Sequence, residues 1–174
     1  AQIKLNKNGS IKIGNYFNTS TKNIFAIGDV IDKVQLTPVA ISEAMNFVEN
    51  LKSRKKRKFN YKNIPTAVFS NPNLASIGYT ENEAKRMFKK IRVYKSQFRS
   101  LKLSMTNSSE KTFIKLITDS KSDKILGLHY VGENAAEIVQ GFSVAIVNGL
   151  TKKQLDKTMG IHPSSAEEVV TLKI

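Results

Sequence analysis

The chain has 174 residues, no cysteine, 40% apolar and 24% charged residues, and a formal net charge of +14. This length suits one domain, or one domain with a piece of another, and the composition is not that of a disordered polymer. The missing cysteines exclude a disulfide framework, a thiolate zinc site and a cysteine nucleophile within these residues.

The net charge and the two histidines bear on which binding partners and metal ions this protein can have. Most of the cations are lysines, whereas specific readout of nucleic acid favours arginine, so we expect no nucleic-acid partner. His129 and His162 are too few and too far apart to build a metal site alone, and we expect none. No apolar run approaches the roughly 20 residues of a membrane span, and the N-terminus does not resemble a signal peptide. We therefore expect a cytoplasmic protein without membrane association.

The first 35 residues have the pattern of short strands joined by turns. Residues 3–5 and 11–13 alternate around Asn8-Gly9, a hairpin turn signal. Residues 23–27 form an apolar run that ends at Gly28-Asp29 and suits a strand buried on both faces. The chain lacks a start methionine and opens inside a strand-like segment, so we expect a fragment of a longer protein.

A helix is predicted next. Thr37 can cap it and Pro38 fits its first helical position. Apolar residues then recur at i, i+3, i+4 and i+7, the spacing of one helix face: Ile41, Ala44, Met45 and Val48.

Residues 52–58 place six cations in seven positions. Such a run is typical of a patch that binds polyanions, and also of a solvated linker after a helix C-terminus, where cations are favourable. No aromatic residue is interleaved, which favours the linker. We therefore place a domain boundary here and expect domains at 1–58 and 59–174.

The second domain groups strands and helices without the rhythm of parallel crossovers. Strands are predicted at residues 66–70, 75–79, 91–98, 112–119 and 125–131. Helices are predicted at about 81–89, at 135–147 and after residue 151; Thr80 with Glu83, and Thr151 with Gln154, have capping-box spacing. This grouping indicates an α+β fold, with a mainly antiparallel sheet and helices packed on it, preceded by a strand-rich remnant of another domain.

The segment from Gly160 to Glu168 contains the strongest candidate for chemistry. His162 precedes Pro163, which disfavours helix there, and the capping-box spacing of Ser164 and Glu167 predicts a helix directly after this turn. A carboxylate bonded to one ring nitrogen fixes the tautomer of an imidazole and favours its protonated form, as a general acid/base requires. The alternative is that Glu167 only caps the helix and that His162 is a polar turn residue. His129, in an apolar strand pattern, is expected to face solvent or a hydrogen-bond partner in the core.

Gly28-Asp29 and the start of the predicted helix could form a second site. A carboxylate at the end of a buried strand can accept hydrogen bonds from sugar or ribityl hydroxyls, although an Asp that serves only the turn is more common. Backbone N–H groups near Leu36 and Thr37 would face an electron-rich ligand atom. The sequence contains no glycine-rich dinucleotide fingerprint.

Three blocks of the sequence, in order, resemble the flavoprotein disulfide reductases. The first, similar to their second FAD-binding segment, combines residues 19–29 with Leu36-Thr37-Pro38-Val39-Ala40. The second, similar to the start of their interface (dimerisation) domain, combines residues 64–72 with Ile77-Gly78-Tyr79-Thr80-Glu81. The third, residues 140–142 and 162–172, closely resembles the glutathione reductases within this family. Residues 1–58 are thereby identified with the end of the FAD-binding domain, and 59–174 with the interface domain.

The resemblance implies a two-electron relay from NADPH through FAD and a dithiol to glutathione disulfide. It implies that Asp29 binds the ribityl chain of FAD, that Thr37 lies against the isoalloxazine ring and that Pro163 is close to the cofactor. It also implies a homodimer in which His162 acts on the opposite subunit, with Glu167 orienting its ring. Three residues match positions near the glutathione site: Ile41, Leu101 and Glu168. The fragment alone is expected to be inactive.

Two departures from the family pattern bear on the substrate. Met45 stands where many glutathione reductases have an arginine that contacts substrate carboxylate, and Leu101 replaces a Pro-Met pair. Lipoamide and trypanothione therefore remain alternative substrates within the family. Outside it, the chain could be a stand-alone dimerisation module, or could bind polyanions through residues 52–58.

Overall fold

The computed structural model describes residues 1–173, and the chain divides into two units, the first Ala1–Tyr61 and the second from Lys62 onward. The first unit contains a 3-10 turn, Gly28–Ile31, and helix α1, Thr37–Lys52. The second unit contains the strands and the remaining helices: β1 Thr66–Val68, β2 Leu74–Gly78, α2 Glu81–Met87, β3 Ile91–Phe98, α3 Leu101–Ser104, β4 Thr112–Asp119, β5 Ile125–Val131, α4 Ala135–Val147, α5 Lys152–Leu155 and α6 Glu167–Val170. The domain boundary proposed at 58/59 stays a prediction.

The short strands predicted within the first 35 residues are not formed. Leu5 pairs with Ile11, and Asn18 with Phe25, in isolated antiparallel bridges. A strand needs consecutive paired residues along a neighbour, and each of these two pairs of segments forms a single bridge. The backbone here is irregular, and its apolar side chains form a small core around Phe17, which is 2% exposed.

Helix α1 begins one residue earlier than its predicted cap implies. Leu36 is the N-cap, without a side-chain hydrogen bond, so Thr37 is already the first helical residue. The prediction that Thr37 caps this helix was wrong, because the Leu36 backbone has the extended conformation of a cap and its carbonyl accepts the Val39 and Ala40 N–H groups.

The apolar stripe of α1 does not face the core of its unit. Ile41 is 57% exposed and Met45 is 62% exposed, whereas Val39 and Glu43 are buried. The 3-10 turn therefore packs against the α1 face that contains Val39 and Glu43, which the apolar periodicity did not predict to be buried.

The second unit is built on a five-stranded antiparallel sheet in the order β1-β2-β5-β4-β3. The central strand, β5, places Leu128 opposite Ile77 of β2 and Leu116 of β4, and all three side chains are at most 1% exposed. Gly78 lies opposite Gly127 at the end of the β2–β5 pair, where a Cβ on Gly78 would stand 2.1 Å from the Leu126 carbonyl oxygen. These strands confirm the α+β fold expected from the sequence.

Three helix predictions are also confirmed. Thr80 is the N-cap of α2 and Thr151 is the N-cap of α5, each with a complete reciprocal capping box. Helix α4 has the predicted bounds, and its buried residues Val139 and Ile146 join the main core together with Val169 of α6. The core therefore ties the C-terminal turn, where His162 lies, to the sheet.

No helix within residues 1–173 is both long and apolar enough to span a bilayer.

Candidate catalytic site

The His162–Glu167 pair forms as the spacing predicts. His162 Nδ1 lies 3.0 Å from Glu167 Oε1 and 3.3 Å from Oε2. An ionised carboxylate can only accept, so Nδ1–H is the donor, and in the neutral ring the lone pair is on Nε2. The imidazole is 84% exposed and the carboxylate 19%. Glu167 thus holds the ring at Nδ1, and the opposite nitrogen, Nε2, is left exposed.

The helix after this turn starts later than predicted. Ala166 is the N-cap of α6, which begins at Glu167 and not directly after Pro163. Glu167 N–H donates to Ser164 Oγ at 3.3 Å, which is half of the expected capping box. The other half is missing because the Glu167 carboxylate bonds His162 and does not return to the Ser164 backbone.

An open cleft of about 560 Å³ lies in front of this pair. Its walls bring together five of the eight residues predicted for the site: Leu101, His162, Pro163, Glu167 and Glu168. Glu168 is fixed at one end, where its Oε2 accepts a hydrogen bond of 3.4 Å from Ser96 Oγ.

The cleft also contains polar residues that the sequence alone did not single out. Lys102 Nζ lies 2.5 Å from Glu133 Oε1, and this carboxylate raises the pKa of Lys102. Arg99 donates to the Thr106 carbonyl at 2.5 Å. Ser100 is 7% exposed, and its hydroxyl has no hydrogen-bond partner among the residues that the structure describes. Nothing in the sequence pattern marks these residues, because the loop after β3 meets Glu133 only in the folded chain.

The other three predicted residues, Asp29, Thr37 and Ile41, lie in the first unit. Asp29 is exposed within the 3-10 turn, and Thr37 is exposed at the N-terminus of the sixteen-residue helix α1. Gly28 has a φ of 72°, and a Cβ there would be 3.3 Å from the Ala40 Cβ, so the turn lies directly on the helix. An exposed carboxylate and an exposed helix N-terminus are groups that can bind a ligand with hydroxyl groups and an electron-rich ring edge.

His129 has a structural role. Its Nε2 is 3.0 Å from the Tyr79 carbonyl oxygen, which is the hydrogen-bonded one of the two alternatives expected for this residue. Within residues 1–173, no three His, Asp or Glu side chains are grouped closely enough to hold a metal ion.

The five-stranded antiparallel sheet and the helices packed on its core define the second unit as an α+β domain, and the sequence matches identify its family. Residues 64–173 match the pyridine nucleotide-disulphide oxidoreductase dimerisation domain, and residues 1–44 match a second model described as pyridine nucleotide-disulphide oxidoreductase. The chain belongs to this family, as its sequence blocks indicated.

Similar proteins include several glutathione reductases. The chain is 46% identical over 166 residues to glutathione reductase of Nostoc sp., covering 94% of this chain and 36% of that protein. It is 43% identical to the chloroplastic/mitochondrial glutathione reductase of Pisum sativum, covering 98% of this chain and 31% of that protein. Among solved structures, the HOCl-induced flavoprotein disulfide reductase RclA from Escherichia coli matches with a TM-score of 0.85 and 26% identity, over 99% of this chain and 40% of that one. The chain thus spans about a third of the length of these glutathione reductases.

Proposed function

We propose that this chain is the C-terminal part of an NADPH-dependent, FAD-containing glutathione-disulfide reductase of the cytoplasm. In this proposal it supplies the dimer interface and an acid/base pair, His162 and Glu167, that acts on the opposite subunit. The observation that carries the proposal is the Glu167 carboxylate on Nδ1 of an imidazole that faces an open cleft. The similarity to glutathione reductases supports the choice of reaction.

The pair suits thiol–disulfide exchange because that reaction needs a thiolate nucleophile and a protonated leaving group. One enzyme thiolate attacks a sulfur of glutathione disulfide, forms a mixed disulfide and expels the other half as a thiolate. A protonated His162 would donate its Nε2 proton to that thiolate, and Glu167 would balance the charge on the ring. A second enzyme thiolate then attacks the mixed disulfide and releases the second glutathione. This chain has no cysteine, so both thiols would come from another part of the protein.

When bound, FAD would carry the two electrons from NADPH to the enzyme disulfide. Asp29 would accept hydrogen bonds from the ribityl hydroxyls, and the α1 N-terminus at Thr37 would face the ring. Pro163 is placed near the cofactor by resemblance only.

The cleft offers cationic, anionic and apolar contacts, as a peptide with both amino and carboxylate groups such as glutathione requires. Arg99 contributes positive charge, Lys102 is paired with Glu133, and Leu101 offers an apolar contact that is 60% exposed. Glu168 can accept a hydrogen bond from an amino group of the substrate. Ile41, which is exposed on α1, is the substrate contact proposed within the first unit.

The homodimer is supported by an apolar face on α4. Val144 is 66% exposed and Val147 is 59% exposed on this helix. Beside it lies a groove of about 580 Å³, lined mainly by apolar residues such as Phe142, Ala145 and Leu150. A face of this kind is costly in water and is typical of obligate subunit contacts. A histidine that acts on the partner would make this dimer necessary for activity.

The deciding experiment is an assay of the full-length protein for NADPH-dependent reduction of glutathione disulfide, with lipoamide and trypanothione disulfide as parallel substrates. We expect glutathione disulfide to be preferred. Preference for another disulfide would refute the substrate assignment and keep the reaction class. A dimeric protein without reductase activity on any of the three would instead support a non-catalytic dimerisation module.

A further inference from the structure

Helix α1 buries a carboxylate that the proposed chemistry does not use. Glu43 is 1% exposed, although charged side chains are almost never fully buried unless they have partners. Its Oε2 accepts the Gly28 N–H at 2.6 Å, and its Oε1 accepts the Tyr61 hydroxyl at 2.6 Å. The carboxylate therefore joins three parts of the first unit: the helix, the 3-10 turn and the segment that ends at Tyr61.

The bond to Gly28 controls the turn that carries Asp29. Gly28 adopts a φ of 72°, a conformation that favours glycine, and a Cβ at this position would lie 3.3 Å from the Ala40 Cβ. Because Gly28 is the residue before Asp29, an acceptor on its N–H fixes the start of the 3-10 turn relative to the helix. Thr37 lies on the same helix as Glu43, so one side chain sets the position of Asp29 relative to Thr37.

Tyr61 holds the other oxygen of this carboxylate in place. Burial, and then the hydrogen bond and charge of Glu43, raise the pKa of Tyr61 well above its ordinary value. The hydroxyl therefore remains a donor throughout the neutral range, and Glu43 cannot rotate away from Gly28 without losing it.

We infer that Glu43 is a positioning residue of the flavin site, which acts through the Gly28 N–H to hold Asp29 at the N-terminus of α1. The inference rests on the proposed function, in which Asp29 and Thr37 contact FAD. It predicts that a change at Glu43 weakens FAD binding although the side chain is covered and touches no ligand.

The test is a titration of FAD into the full-length apoprotein, followed by flavin fluorescence, for the wild type and a set of variants. Glu43→Ala removes both bonds. Glu43→Gln keeps an oxygen for the Gly28 N–H, and its amide can donate to the Tyr61 oxygen. Asn50→Ala is the matched control. Asn50 is 6% exposed, lies two turns further along α1, and exchanges two hydrogen bonds with the Arg57 backbone, away from the 3-10 turn.

We expect Glu43→Ala to raise the Kd for FAD at least tenfold, and Glu43→Gln to stay within about threefold of the wild type. Asn50→Ala should lower the melting temperature while its Kd for FAD stays within about twofold. If Glu43→Ala does not fold, Glu43→Asp, which is too short to reach both donors, should raise the Kd about fivefold.

Three results would overturn the inference: a Kd for Glu43→Ala (or for Glu43→Asp, where that variant is used) within threefold of the wild type, a Glu43→Gln variant as weak as Glu43→Ala, or an equal loss in Asn50→Ala. Wild-type protein that binds no FAD would refute the proposed function itself. Tight FAD binding that is indifferent to Glu43 would refute the positioning role alone.

Discussion

Replacing Glu167 tests whether the carboxylate orients the histidine or only begins a helix. Glu167→Ala removes the acceptor that lies 3.0 Å from His162 Nδ1 and leaves the imidazole in place. Glu167→Gln keeps an acceptor oxygen of the same reach but removes the charge. His162→Ala removes the acid itself and gives the upper limit of the effect.

The geometry gives the size of the expected loss. The imidazole is 84% exposed, so Glu167 is its main restraint, and a released ring can occupy about six rotamers, three at χ1 and two at χ2. Restricting it to one rotamer is worth about 1 kcal/mol, and an exposed ion pair contributes about 1 kcal/mol more. Glu167→Ala should therefore slow the proton-transfer step about 30-fold. Glu167→Gln should slow it about fivefold, and His162→Ala about 10²- to 10⁴-fold.

Rapid mixing of the full-length enzyme separates the two half-reactions. Oxidation of the reduced enzyme by glutathione disulfide should slow in this order of variants, whereas flavin reduction by NADPH should match the wild type. A Glu167→Ala variant within threefold of the wild type would refute the orienting role and leave Glu167 as a capping residue. Equal slowing of both half-reactions would refute the assignment of His162 to the disulfide step.

Three further predictions concern the fold and its assembly. Gly78→Ala should lower the free energy of unfolding in urea by at least about 3 kcal/mol, because it combines a positive φ with a Cβ 2.1 Å from a carbonyl oxygen. Gly149→Ala, with a φ of 79° and a Cβ in ordinary contact with the Lys124 side chain at 3.7 Å, should cost about 1–2 kcal/mol, and equal losses would contradict the steric explanation. Since the folded chain holds the Tyr61 proton more tightly than the unfolded chain, stability should fall as pH rises above about 10. Tyr61→Phe should reduce this slope in pH-dependent thermal melts, and an unchanged slope would count against the hydrogen bond from the half-buried Tyr61 hydroxyl to Glu43. Val144→Glu combined with Val147→Glu should convert the proposed dimer into a monomer in sedimentation velocity, while the equally exposed Met87→Glu should not; a dimer that survives the double change would place the interface elsewhere.

The second unit was the more predictable part of the chain because its signals are local. Strands β3, β4 and β5 have the bounds expected from their apolar patterns, and both capping boxes form where Thr stands three residues before Glu or Gln. Each of these signals depends on side chains within a few residues of one another. The strand order was not predictable, since the pairing of β2 with β5 joins segments about 50 residues apart.

The first unit was less predictable because its structure depends on contacts between separated segments. Its apolar run at residues 23–27 reads as a buried strand, yet only Phe25 is bridged to a neighbour. The stripe on α1 that includes Ile41 and Met45 is exposed, and the helix buries Glu43 instead. A periodic pattern reports that a helix has an apolar face, but not what that face meets.

The sequence by itself determined the family, the α+β class and the candidate acid/base pair, because His162, Pro163 and Glu167 lie within one short stretch whose spacing fixes their chemistry. Only the tertiary structure decided which residues surround them. The cleft joins Leu101 and Lys102 to Glu133 and to His162 because the antiparallel sheet and α6 pack on one core. The bond from Gly28 to Glu43 likewise depends on the turn lying against α1. Contacts between distant segments are set by packing, and no local pattern records them.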